Sequence, residues 1–128
     1  MSFYRNTMWN EDITVFHKVD EIVNGKKVVT WEKSVYEACF WQSKDRQSID
    51  GKQFVMNRSY IVRIPVDMNE TVIVAVGDVV VQGVVSDTII TTPTELLRKY
   101  EGSCFTIGSV VNNTKLQRTA HWLITDNR

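Results

Sequence analysis

Histidine, cysteine and carboxylate side chains are the usual means of holding a metal ion or moving a proton, and this chain has two histidines and two cysteines among fifteen acidic residues. Neither His17 nor His121 stands in a clustered ligand or triad pattern, so a metal site or catalytic set would have to be assembled from distant residues. Cys39 lies within Ala38-Cys39-Phe40-Trp41, an apolar setting that keeps a thiol protonated and hidden. Cys104 opens another apolar run and reads the same way. The two cysteines form no CxxC or Cys/His grouping, which argues against both zinc and a disulfide framework. Among the acids, Glu32, Glu37, Asp67 and Asp78 fall in strand or turn patterns, and nothing marks two of them as a facing pair. Gly77, Gly83 and Gly102 punctuate turns, and neither GxGxxG nor GxxxxGK[ST] occurs. The expectation is no catalytic set, no metal, no cofactor and no enzyme.

One local charge asymmetry stands out. Between Trp41 and Arg63, five basic residues (Lys44, Arg46, Lys52, Arg58 and Arg63) face two acidic ones (Asp45 and Asp50), a balance of 5 − 2 = +3 in a chain whose total is zero. Trp41, Phe54 and Tyr60 are interleaved with them. Cations that track phosphates beside aromatics that stack bases make a groove for single-stranded nucleic acid. A solvated polar loop has the same composition.

These residues need a scaffold, and the apolar pattern describes one. Ile13, Val15 and Val19 alternate with polar positions as in a half-buried strand, and Asn24-Gly25 is a two-residue hairpin signal before a strand beginning near Lys27. That next strand runs from about Val28 to Gln42 and is apolar on both faces in its second half. Residues 42–58 read as a long inter-strand loop or an irregular β-ribbon, with a turn available at Asp50-Gly51. Residues 59–67 alternate again, and Pro65 is expected at a sheet edge because it cannot donate to a ladder. Two valine-rich runs, 71–76 and 79–85, flank Gly77-Asp78 and are too short and too β-branched for helix. Thr92-Pro93-Thr94-Glu95 has the form of a capping box, and Gly102 supplies a stop, so a helix is expected at about 93–100 with Leu96, Leu97 and Tyr100 inward. Phe105 to Val111, a turn at Asn112-Asn113 and the run to Ile124 close the chain as a hairpin. The fold class is therefore mainly β: a small antiparallel barrel or sandwich with one short helix and the 42–58 loop projecting. One domain is expected, with a β-barrel at 13–124 and an N-terminal arm at 1–12 that carries Phe3, Tyr4, Met8 and Trp9.

At 128 residues, 43% hydrophobic and 23% charged, the composition is that of a globular domain, and no apolar run approaches the ~20 residues of a membrane span. The first residues, MSFYRNTMWNED, do not resemble a secretory leader, so synthesis in the cytoplasm is expected.

The blocks ITVFHKV, TWEKSVYEACFWQ, SYIVRIP, GDVVVQG, TELLRKY, FTIGSVVNN and RTAHWLI, in this order from Ile13 to Ile124, resemble a family of tailed-phage and prophage neck proteins from Gram-positive hosts. These are similar to head-closure or head-tail joining proteins. The resemblance implies a structural subunit of the virion neck, made in the bacterial host, that joins the portal side to the tail and helps retain DNA. It implies a homo-oligomeric ring, twelvefold for head closure, and contacts with portal, adaptor and tail proteins but no membrane. A tail terminator or other tail-proximal ring, sixfold, is the near alternative, and a single-stranded nucleic-acid-binding barrel the more distant one. On the resemblance, Lys44, Arg46, Lys52 and Arg58 form a channel loop facing packaged DNA; Phe3, Tyr4 and Trp9 are expected to form an inter-subunit arm on composition alone, since MSFYRNTMWNED matches no block of the family.

Overall fold

The computed structural model describes residues 11–50, 53–67, 69, 71–89, 92–115 and 120–126, with backbone alone at 45–50 and 53–58. The elements run β1 (Glu11–Val23), β2 (Lys26–Asp50), β3 (Gln53–Pro65), β4 (Val79–Gln82), α1 (Thr94–Lys99), β5 (Cys104–Thr106), β6 (Ser109–Asn113) and β7 (His121–Thr125). All strand pairs are antiparallel, in the order β5-β4-β1-β2-β3-β7-β6. The protein is mainly β with one short helix. Of the two expected forms, barrel and sandwich, it takes the sandwich-like one, because no ladder joins the end strands β5 and β6.

β2 belongs to both halves. Its residues up to Cys39 pair with β1, and those from Phe40 onward pair with β3. Near the end of the β1 ladder the register slips, with Glu11 opposite Cys39 but Ile13 opposite Tyr36, so Glu37 and Ala38 bulge. Ala38 sits there at φ 56, a left-handed conformation that a Cβ disfavours. Asn69 holds the bulge. Its Oδ1 accepts from Glu37 N (2.8 Å), and its Nδ2 donates to Glu37 O (3.1 Å) and Pro65 O (2.8 Å).

Two apolar cores follow from strand alternation. Ile13, Val15, Tyr36, Tyr60, Val62, Ile64, Val80, Phe105, Ile107 and Ile124 fill the interior. On the outer face of β1 and β4, Phe16, Val79 and Val81 pack with Leu96 and Cys104, and Trp31, Val85, Ile89, Leu97 and Tyr100 complete that layer. The helix therefore covers a face that would otherwise be exposed. It starts from Pro93 without a side-chain cap, so the expected capping box does not form. Tyr100 N bonds back to Leu96 O (3.1 Å), and the chain then reverses at Gly102, φ 90.

Three expectations change. The stretch 42–58 is the ribbon rather than a loop, since β2 and β3 remain paired from Phe40↔Arg63 out to Asp50↔Gln53. β3 is not an edge strand: it lies between β2 and β7, and Pro65 comes after the last β2 pair, where no ladder donor is needed. The valine run 71–76 is extended but belongs to no ladder among the described residues, because side chains take its backbone groups.

Candidate functional site

The run 71–78 is a strap tied down by two side chains. Tyr36, 4% exposed, places its hydroxyl against Ile73, accepting from Ile73 N (2.9 Å) and donating to Ile73 O (3.4 Å). The second anchor is Asp78, 1% exposed. Its Oδ1 accepts from Lys18 N (3.0 Å), and its Oδ2 accepts from Ala75 N (2.9 Å) and meets His17 Nδ1 at 2.7 Å. Its backbone adds bonds from Ile107 N to Asp78 O (2.8 Å) and from Asp78 N to Ala75 O (3.1 Å). Gly77, at φ 98, makes the turn that brings these groups together and donates to Ile107 O (2.9 Å).

A carboxylate on Nδ1 is the arrangement that orients imidazoles for proton transfer through Nε2. Here, however, the residue paired across the ladder from His17 is Glu32, and among the described residues no hydroxyl or thiol bonds to His17. Two of the three donors to the Asp78 carboxylate are backbone amides, from β1 and from the strap. Its work is to join them. His121 is buried, and Asn113 Nδ2 lies 3.3 Å from its Nε2 across the closing hairpin. The described residues contain no group of three His, Cys, Asp or Glu able to hold a metal. They also contain no helix long and apolar enough to cross a membrane. Cys39 and Cys104 are buried, and burial pushes the Cys104 thiol up to about 12.

A second cluster lies over the outer core. Asp87 accepts from Lys99 Nζ (2.8 Å) and from the Tyr100 hydroxyl (2.6 Å), while Lys33 Nζ donates to Val85 O and Asp87 O, both at 3.2 Å. The Lys99 ammonium, then the Tyr100 hydroxyl, hold the Asp87 carboxyl below its ordinary range, and Asp87 in turn raises both partners. This network fastens the 84–89 segment to α1.

The broadest structural feature is a pair of arms built on opposite ends of β2. β1 meets β4 only at Ile13–Phe16, so from His17↔Glu32 to Val23↔Lys26 the β1–β2 pair runs on, with no third strand among the described residues, as a ribbon of seven pairs. It ends in an Asn24-Gly25 turn with φ 53 and 78, the signature of a type I′ hairpin. Ile22 is 80% exposed near that tip, and Val23 and Val28 are exposed beside it. At the arm's base the Trp31 Nε1–H is buried without a hydrogen-bond partner among the described residues. β3 meets β7 only from Ile61 onward, so Lys44↔Ser59 to Asp50↔Gln53 makes a second ribbon of seven pairs. At about 3.4 Å per residue each arm spans roughly 24 Å.

The sequence-derived residues divide across this frame. Lys44 is exposed at the base of the second arm. The register puts Lys44 and Arg46 at positions on one face and Arg58 on the other, opposite Asp45, so these cations do not share a face. Arg63 lies over the Phe40 ring at 4.8 Å. Lys52, Phe3, Tyr4 and Trp9 lie outside the described residues, as do the side chains of Arg46, Phe54 and Arg58. The aromatics proposed for base stacking turn inward: Tyr60 stacks on Phe105 at 4.9 Å, and Trp41 packs against both, at 5.8 and 5.6 Å. Sequence reasoning placed Asp78 in a turn and missed its carboxylate as an anchor, and no local signal couples residues 61 positions apart.

A family model describing proteins of unknown function matches residues 7–126. No curated protein and no solved structure matches the chain.

Proposed function

The chain belongs to that family, DUF6751, whose function is unknown, and we propose that it is a structural subunit of a tailed-phage neck, a head-closure or connector ring protein acting in the virion without catalysis. The observation that carries the reading is the pair of bare arms. A two-stranded ribbon is marginal in water, yet this chain builds two of them, seven pairs each, both sharing β2 and with no third strand among the described residues. Such arms persist when neighbouring subunits supply the missing surface. The exposed Ile22, Val23 and Val28 at one tip suit that burial.

The inward turn of Trp41 and Tyr60 supports this reading over a single-strand-binding barrel, which needs exposed stacking faces. In the ring, Lys44 and Arg46 on the second arm stand near packaged DNA, portal and tail proteins contact the two rims, and the segment carrying Phe3, Tyr4 and Trp9 reaches a neighbour. Native mass measurement and electron microscopy of the concentrated chain test the reading. A closed ring is expected. A strict monomer at all concentrations, with tight salt-dependent binding to single-stranded DNA, would overturn it.

A further inference from the structure

The second arm has an open edge whose direction the hydrogen bonds fix. Tyr60 N donates to Asp126 Oδ1 (3.0 Å) and Val66 N to Ala120 O (3.1 Å), so the even-numbered residues of β3 turn their backbone groups toward β7. The odd-numbered ones therefore face β2, where Ser59, Ile61 and Arg63 meet Lys44, Gln42 and Phe40. On β2 the even-numbered residues from Phe40 onward are thus taken by β3, and the odd-numbered ones face the other way. β1 arrives on that other side, with Glu11 opposite Cys39. Gly83 N donates to Asp12 O (2.7 Å), so Asp12 faces β4 and Glu11 faces Cys39, in agreement. Beyond Cys39 the same edge continues through Trp41, Ser43, Asp45, Gln47 and Ile49, and no strand among the described residues pairs with it.

We propose that residues 1–10 of the same chain, outside the described residues, occupy this edge, running on from β1 as a third strand of the second arm. The register at Glu11↔Cys39, carried outward, sets Trp9 opposite Trp41, Thr7 opposite Ser43, Arg5 opposite Asp45 and Phe3 opposite Gln47. Three features select this occupant. The segment is joined to Glu11, which already lies in the pairing register, so no loop has to close to bring it there. Ten extended residues span about 34 Å, enough for the roughly 24 Å of the arm. Charge selects the register: Arg5 meets Asp45, whereas a slip of one residue either way sets it opposite Lys44 or Arg46. The segment has no proline or glycine, and its Phe, Tyr, Thr and Trp favour a strand. The register also puts Trp9 on the face of Trp41 and Tyr60, which leads into the interior core, and Met8 on the opposite face with Phe40 and Lys44. A third strand gives this arm what a two-stranded ribbon lacks and covers an edge that would otherwise invite addition. The β3 edge of the arm and the whole first arm stay open to neighbours, and the segment, carried outward along the arm, comes within reach of one in the ring. The contact itself lies within one chain and does not depend on the ring reading.

Residue-resolved amide exchange on the wild-type chain tests this without any substitution. On a two-stranded arm only the even-numbered amides of β2 beyond Phe40 are protected, by β3; with the third strand, Ser43, Asp45 and Gln47 are expected to exchange at least about tenfold more slowly than unprotected amides as well. Protection that alternates along 42–47 would overturn the proposal. The Thr7→Cys, Ser43→Cys double variant, oxidised and mapped by peptide mass spectrometry, then reads the register and the owner of the strand, because opposed antiparallel positions lie at a separation a disulfide can bridge. Cys39 and Cys104 are buried, and the single variants control for them. A linked monomer is expected, whereas Asn6→Cys with Ser43→Cys, on opposite faces, is expected not to link. Linked dimers would put the segment on a neighbouring copy and overturn the proposal, as would equal linkage in the two double variants or none in either. Native mass measurement keeps the two readings apart: a chain that fails to link but still forms rings sinks this contact alone, and a linked chain that stays monomeric sinks the ring alone.

Discussion

Removing the Asp78 carboxylate tests whether one buried group unites β1 and the strap. Asp78→Ala leaves Lys18 N and Ala75 N without their acceptor and frees His17. A buried donor left unpaired costs about 1–3 kcal/mol, and with partial relaxation of the two amides the expected loss is about 3–4 kcal/mol. Asp78→Asn keeps one oxygen for Lys18 N but turns an NH2 group toward Ala75 N, so about 2 kcal/mol is expected. His17→Ala removes only the partly exposed member of the cluster, and about 0.5–1 kcal/mol follows for that bond. Urea unfolding followed by circular dichroism gives the three values, and an unchanged slope keeps them comparable. Amide exchange should accelerate at Lys18 and Ala75 in the alanine variant. A loss below about 1 kcal/mol for Asp78→Ala, or equal losses for the alanine variants of Asp78 and His17, would refute the idea that the carboxylate organises backbone.

Two other expectations come from particular conformations and charges. Replacing Ala38 with Gly relieves about 1–2 kcal/mol of left-handed strain, against about 0.8 kcal/mol for a buried methyl and about 0.5–1 kcal/mol of unfolded-chain entropy, so the variant should lie near wild-type stability; Ala38→Val should lose more than about 2 kcal/mol, and a glycine variant as damaged as the valine one would refute the strain. For Asp87, the folded carboxyl titrates below its ordinary 3.8, so its tie to Lys99 and Tyr100 is complete above that value and lost as pH falls through the lowered one. Wild type should lose more stability than Asp87→Asn on acidification below pH 3.8, and parallel pH curves would refute the tie.

Local patterns in the sequence found local structure. Asn24-Gly25 marked the first hairpin, alternation through Tyr60, Val62 and Ile64 marked β3, and Leu96 with Gly102 marked the helix and its end. Choices decided by distant contacts were not legible. The valines of 71–76 have strand composition, but strand or strap depends on whether neighbours offer a ladder, and here Tyr36 and Asp78 take the backbone groups first. Alanine at position 38 carries no mark of positive φ, because the bulge comes from a register slip against β1. The basic residues of 42–58 suggested one patch, yet their spacing acquires a face only once the ribbon register sets Arg58 opposite Asp45. Trp41 and Tyr60 looked able to stack on a ligand. The same apolar area also suits a core, and burial against Phe105 is where it is used.

The bulge at Glu37 and Ala38 gives the two arms a common mechanical origin. Each arm is half β2, so the angle between them is set where β2 leaves one ladder for the other. That point is held by Asn69, which bonds both backbone groups of Glu37 and the end of β3 at Pro65. Asn69 also stands at the head of the strap, whose other end is fixed by Asp78 to β1 beside His17, the first residue of the bare ribbon of the first arm. The strap thus bridges the root of one arm to the bend from which the other departs. Side-chain bonds to backbone therefore stand at the roots of both arms, beside the ladder pairing. On the proposed ring reading, a subunit that holds neighbours in fixed relation needs rigidity at these two roots.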